Sequence, residues 1–212
     1  IGFDASARSL HVGHLLQVFL LVHLQRAGGA PVIVIGGATG MIGDPSGKSS
    51  ERKLLDDATI ASNAAALQEQ LSRFVDFSPG PAQARMVDNR DWLAGMSVLT
   101  YLRDIGKHFT IPYMLAKDSV QARLGAGMSF SEFSYMTLQA ADFLHLHRNL
   151  GVDLQMGGAD QWGNITAGVD LARRMHQGHV FGMTNPLVTK SDGTKFGKTE
   201  SGTIWLDPAR TK

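Results

Sequence analysis

Two histidines three residues apart, His11 and His14, stand in the run SLHVGHLL, between the loops DASARS and GGATGMIGDPSGK that carry Asp4 and Asp44. At the start of a helix such a pair lies on one face, where free backbone N–H groups and the positive end of the macrodipole already favour an anion, so two imidazoles there suit a phosphate. A His-x-x-His pair can also ligate a metal, but no third ligand stands at a characteristic spacing and the chain has no cysteine. The two common glycine-rich nucleotide loops are disfavoured: Ile42 stands where a G-x-x-x-x-G-K loop requires glycine, and Gly37, Gly40 and Gly43 are spaced three by three rather than as G-x-G-x-x-G. Further on, Tyr135, Gln139 and Asp142 fall at i, i+4 and i+7 and make a polar stripe. Its alternatives are a solvent face and a ligand pocket, and the surrounding Met136, Leu138, Phe143 and Leu144 favour the pocket, where Asp is seldom buried without a partner. Lys190, Lys195 and Lys198 crowd a glycine-containing loop, KSDGTKFGKTESG, which on residue types alone is equally a solvated cationic turn.

Elements able to position these groups follow from the hydrophobic pattern. Ser9 is a candidate N-cap for a helix apolar on nearly all sides, from Leu15 to Leu24, closed by Gly28 and Gly29, and such a helix should be buried. Val32 to Ile35 is a short interior strand bounded by Gly36 and Gly37, and a first strand ends near Phe3, so the three form a βαβ unit. Ligands of an open parallel sheet lie beyond the carboxyl ends of its strands, so the two loops meet there and Asp4 and Asp44 face one cleft. SSERK reads as a solvated charge run, and Ile60, Ala64, Leu67, Leu71 and Phe74 as a packed helix ended by SPGP. Ala84 to Val87 is a third parallel strand running into Asp88, Asn89 and Arg90. From Trp92 to Leu124 the pattern is helical, with more apolar positions than one face needs, which fits either an ordinary core or a partner surface. Ser129 and Glu132 form a capping box for a helix to about Asn149, Val152 to Met156 is a strand, and GGADQWGNITAG is a tight turn and helix start.

With 212 residues, 43% of them hydrophobic, and a formal charge of +1, the chain has the size of one well-buried α/β domain, numbered 1–212, with a helical part around 92–150. The lack of cysteine removes disulfides and thiol chemistry, and without a membrane-length apolar run or a signal peptide the expected compartment is the cytoplasm. Near-neutral charge gives no whole-chain case for nucleic acid, so any RNA contact rests on a local patch or on parts outside this sequence. The chain begins without Met and inside a motif, the mark of a truncated piece.

HVGH resembles the His-Ile-Gly-His signature of class I aminoacyl-tRNA synthetases. GFDASARSLHVGHLL followed by GGATGMIGDPSGK, DQWGN and KFGKT is similar, in order and spacing, to the bacterial-type tyrosyl-tRNA synthetases. The last stretch resembles their Lys-Met-Ser-Lys-Ser loop, keeping Lys195 and Lys198 while Phe196 and Gly197 depart from the general consensus. The resemblance implies a Rossmann-like open parallel sheet with helices on both faces, and an enzyme that joins L-tyrosine to ATP, with Mg2+ accompanying the ATP, and passes tyrosine to tRNA(Tyr). It implies catalytic roles for His11, His14, Lys195 and Lys198. It places tyrosine against Asp4, Thr39, Asp44, Tyr135, Gln139, Asp142 and Gln161, with Tyr135 and Gln139 near the ammonium group and Asp142 accepting from the phenol. It places ATP against Ser6, His11, Gly13, His14, Gly158, Asp160, Lys195, Lys198 and Thr199, with Asp160 at the ribose. A homodimer contact is implied around WLAGMSVLTYLRDIGKHFTIPYM. The family has a tyrosine just before the position of Ile1, Ser6 stands where Thr is common, and anticodon-binding and C-terminal RNA-binding domains would follow Lys212.

A carboxylate with a reference pKa of roughly 3.5 is already ionised at neutral pH, so its attack on the α-phosphate needs no general base and catalysis can be charge stabilisation alone. Two other classes compete with this reading. A small nucleotidyltransferase sharing His-x-Gly-His would lack both the DQWGN-type pocket and the paired-lysine loop. An inactive synthetase-like dimer or RNA-binding scaffold would behave independently of tyrosine.

Overall fold

The computed structural model describes residues 1–46, 55–125, 127–175, 178–189 and 203–211. Its first unit is the expected βαβ: β1 (Gly2–Asp4), α1 (Val12–Arg26) and β2 (Val32–Gly36), with β1 and β2 parallel and Phe3 opposite Ile35. Every residue of β2 is buried, because a parallel strand covered on both faces has no solvent side on which to alternate. One turn, α2 (Thr39–Ile42), follows and is ended by Gly43, whose φ of 88° lies where a side chain would be strained. Asp56 caps α3 (Asp57–Leu71) by accepting from the Thr59 amide at 2.7 Å, and this helix buries Ile60, Ala64, Leu67 and Leu71. β3 (Arg85–Asp88) pairs in parallel with β2, giving the order β1-β2-β3, and Phe74 packs beyond the end of α3.

Helix α1 departs from its sequence reading twice. Its N-cap is His11 rather than Ser9, because the Ser9 hydroxyl is engaged elsewhere: it donates to the Leu10 carbonyl at 2.8 Å and accepts from Gln70 Nε2 at 2.9 Å and from the Asp207 amide at 3.2 Å. Nor is the helix buried all round. Only Val18 and Leu21 are inside, and Phe19 is exposed.

Between β3 and the next strand lie α4 (Arg90–Leu93), α5 (Val98–Asp104), α6 (Ile111–Leu115), α7 (Asp118–Leu124) and the long α8 (Phe130–Leu150). The apolar excess noted here divides cleanly. Ile105 and Met114 are core, whereas Val98, Leu99, Leu102 and Ile111 are exposed, Leu99 to 80%. Ser129 caps α8 by accepting from the Glu132 amide at 3.3 Å, but the Glu132 carboxylate does not return to the cap. It pairs with Arg123 at 2.9 Å, with both side chains buried, and so fastens α7 to α8. Gly151, at φ 66°, closes the helix in the left-handed conformation.

β4 (Leu154–Gly158), α9 (Trp162–Arg174) and β5 (Phe181–Asn185) complete the fold, with β4 and β5 parallel in a separate two-stranded sheet. Helices α8 and α9 pack closely where Gly168 faces Phe143: a Cβ on that glycine would meet the ring at 2.9 Å. Gln17 on α1 donates to Asn185 at the end of β5 at 2.9 Å, tying the first unit to the second sheet. Among the described residues no helix is long and apolar enough to cross a membrane.

Candidate active site

The carboxyl ends of β1, β2 and β3 bring their loops together in the order that a parallel sheet requires. Asp4 closes β1, and its Oδ1 accepts from Thr39 Oγ1 at 2.7 Å across the crossover. Gly36 and Gly37 allow this approach, since a Cβ at either would lie within 2.3 Å of a carboxylate oxygen of Asp4 or Asp88. The first two amides of the glycine loop are engaged within the fold: the Gly37 N–H donates to Asp88 at 3.1 Å and the Ala38 N–H to Asn89 at 2.8 Å.

Helix α8 supplies the polar stripe, and the stripe faces inward rather than to solvent. Tyr135 is buried and donates its hydroxyl to Asp4 Oδ2 at 2.9 Å; Gln139 donates to Gln155 of β4 at 3.0 Å. Asp142 is only 5% exposed and accepts from Asn89 Nδ2 at 2.9 Å and from the Trp92 indole N–H at 2.7 Å. Asn89 also donates to Thr39 Oγ1 at 2.9 Å, so one network runs from Trp92 through Asp142, Asn89, Thr39 and Asp4 to Tyr135. Asp44, also buried, belongs to a second cluster: it accepts from Gln161 at 2.6 Å, from the Ser46 amide at 2.9 Å and from Asn164 at 3.3 Å.

These arrangements set the charge of the site. Burial pushes the Tyr135 hydroxyl well above its ordinary range, and the carboxylates of Asp4, Asp44 and Asp142 push it further. It therefore stays protonated, beside the Asp4 and Asp44 carboxylates, which together favour a cation. Burial raises the Asp142 carboxyl from 3.8 to about 7, against the lowering effect of its two donors, with Asp4 and Asp88 adding to the rise.

At the start of α1 the His11 and His14 rings stack with centroids 3.7 Å apart, and His14 Nδ1 accepts from the His11 amide at 3.2 Å. The second imidazole thus completes the cap of the helix that carries it. Residues 203–211 hold this entry: the Val12 amide donates to the Ile204 carbonyl at 2.9 Å, the Leu206 amide to the Leu10 carbonyl at 2.8 Å, and Trp205 lies tilted against His11 at 6.2 Å. Among the described residues no cluster of three or more His, Cys, Asp or Glu side chains is placed to hold a metal ion.

Ser6 follows β1, Gly13 lies in the first turn of α1, Gly158 ends β4, and Asp160 sits in a 3-10 turn, Ala159–Gln161, before α9. All four stand near the carboxyl ends of β1 and β4. Lys190, Lys195, Lys198 and Thr199 lie outside the described residues, as does the SSERK run. Sequence reasoning missed Asn89, Trp92, Gln155 and Asn164 as site residues, although Asn89 directly follows a strand at the edge where ligands of open sheets bind.

A family model described as tRNA synthetases class I (W and Y) matches residues 1–212. The chain is 58% identical over 216 residues to a tyrosine–tRNA ligase of Porphyromonas gingivalis, an alignment covering 100% of this chain and 50% of that relative. It is 58% identical over 211 residues to a tyrosine–tRNA ligase of Anaeromyxobacter dehalogenans, again covering 100% and 50%. Among solved structures it is similar to a C-terminally truncated mitochondrial tyrosyl-tRNA synthetase of Aspergillus nidulans, with a TM-score of 0.83 and 30% identity over 99% of this chain and 63% of that one. Its likeness to a tyrosyl-tRNA synthetase from Archaeoglobus fulgidus complexed with L-tyrosine is one of fold, at a TM-score of 0.73 and 19% identity over 97% and 59% of the two chains. The chain spans about half the length of the curated relatives it matches.

Proposed function

Since this chain belongs to the class I tRNA synthetases for tryptophan and tyrosine, we propose that it activates L-tyrosine with ATP and that the whole protein transfers the tyrosyl group to tRNA(Tyr). The observation that carries the tyrosine assignment is Asp142, a buried acid on an apolar helix, held by two donors yet with lone pairs to spare. Tyr135 and Asp142, seven residues apart on α8, stand about 10 Å apart along its axis and address opposite ends of the bound amino acid. Asp44, Tyr135 and Gln139 receive the ammonium group, Gln161 lies by the carboxylate, and Asp142 accepts from the phenol. An indole or an unsubstituted phenyl ring leaves that acceptor without its donor, at a cost of about 1 to 3 kcal/mol.

In the first step a carboxylate oxygen of tyrosine bonds to the α-phosphorus of ATP while the bond to the bridging oxygen breaks, giving tyrosyl-adenylate and pyrophosphate. In the second, a terminal ribose hydroxyl of tRNA displaces AMP. The His11–His14 pair at the positive end of α1 stabilises charge at phosphorus, and Lys195 and Lys198 serve the departing pyrophosphate. Magnesium arrives with the ATP as part of that substrate. For the RNA, Lys117 and Arg174 gather over the Tyr113 ring at 4.2 and 5.2 Å, with Arg173 on the same helix end, a local basic surface in a chain whose net charge is only +1. The exposed Val98, Leu99, Leu102 and Ile111 supply the face for a second copy of the chain. Calorimetry tests the pocket: tyrosine should bind at least about fivefold more tightly than phenylalanine, and equal affinities would refute the assignment of Asp142.

A further inference from the structure

Helix α4 is four residues long and buries none of them, yet it carries the indole N–H that holds Asp142 at 2.7 Å. A side chain on so short and incompletely buried an element needs other restraint. One restraint is apolar: Trp92 packs partly buried against the cluster of Val32, Val34 and Leu146. The other is His145, whose imidazole lies flat on the indole with centroids 4.4 Å apart and planes within 11°. His145 stands three residues beyond Asp142 on α8, so one helix carries both the acid and the plate against which the acid's donor rests.

We propose that His145 is a positioning residue for tyrosine selection, acting through Trp92 to hold the Asp142 carboxylate in line with the substrate hydroxyl. This rests on the reading of Asp142 as the phenol acceptor. Burial lowers the His145 pKa below its ordinary value, so the ring that stacks at neutral pH is uncharged and its contribution is one of shape rather than charge. With the plate removed, the indole gains freedom to turn its N–H away, and Asp142 keeps only Asn89 as its donor. The effect should fall on the substrate that uses the acid. Phenylalanine presents nothing to Asp142 and should be indifferent to the change.

The test compares His145→Ala, His145→Leu and His145→Phe in tyrosine- and phenylalanine-dependent pyrophosphate exchange, with near-UV circular dichroism as the report on Trp92. His145→Ala and His145→Leu should raise KM for tyrosine about three- to tenfold, the scale of one aromatic stacking contact, with kcat and the phenylalanine parameters within twofold of wild type. The flat ring of His145→Phe should restore both the tyrosine KM and the near-UV signal. Equal losses for both amino acids, rescue by leucine as good as by phenylalanine, or an unchanged tyrosine KM in His145→Ala would overturn the proposal. If the wild-type protein supports no tyrosine-dependent exchange, the functional reading fails instead, while the near-UV comparison still reports whether His145 orders Trp92.

Discussion

Replacing Asp142 by asparagine should flatten the dependence of stability on pH. In the fold this carboxyl is raised from 3.8 to about 7, chiefly by burial. Between those two values the folded chain keeps a proton that the unfolded chain has released, so raising the pH favours unfolding. The stability tied to this group is fully present below the lower value, is lost through the interval, and does not change further above the higher one. Integrating the two titrations gives a loss of roughly 2.6 kcal/mol between pH 5 and pH 8. Asparagine has the same shape but no proton to lose, and its amide can accept from only one of Trp92 and Asn89. That mismatch costs about 1 to 3 kcal/mol at every pH and cancels when slopes are compared. The assay is urea denaturation of wild type and Asp142→Asn at pH 5, 6, 7 and 8. The stability difference, wild type minus variant, should fall by roughly 2 to 3 kcal/mol across the series. Parallel pH profiles would refute the claim that the fold holds this acid against its own ionisation.

His14→Ala should lower the rate of tyrosyl-adenylate formation by about 10² to 10³, with tyrosine and ATP dissociation constants near wild type, because charge at phosphorus changes most in the transition state; wild-type rates with weakened ATP binding would make His14 a ground-state anchor. Arg123→Met should cost about 3 to 5 kcal/mol in urea denaturation by stranding the buried Glu132, and Arg123→Met with Glu132→Leu should recover most of it. A double variant no more stable than the single one would show that the pair does more than balance charge.

What the sequence disclosed was what chemistry places locally. The His pair and the i, i+4, i+7 stripe of α8 each lie within one element or one turn, and the βαβ crossover joins three consecutive elements, so periodicity and capping speak directly. The partners that give the stripe its character do not. Asn89 and Trp92 reach Asp142 from 53 and 50 residues away, and nothing in the spacing of either announces it. Ser9 shows the same limit in reverse: it has the chemistry of an N-cap, but Gln70, 61 residues on, takes its hydroxyl, and His11 becomes the cap. Glu132 likewise has the position for a capping box and spends its carboxylate on Arg123. The apolar surplus of residues 92–124 was ambiguous because composition does not encode which side of a short helix is covered. Exposure of Leu99 beside burial of Ile105 is a tertiary fact.

The claim on which the rest depends is that the pocket beside Asp142 and the His-bearing helix start act on one substrate pair. Exchange of labelled pyrophosphate into ATP, with tyrosine, phenylalanine, tryptophan or no amino acid, measures this directly. The account predicts exchange that requires tyrosine and is weak with the other two. Exchange independent of amino acid, or equal with phenylalanine or tryptophan, would contradict it.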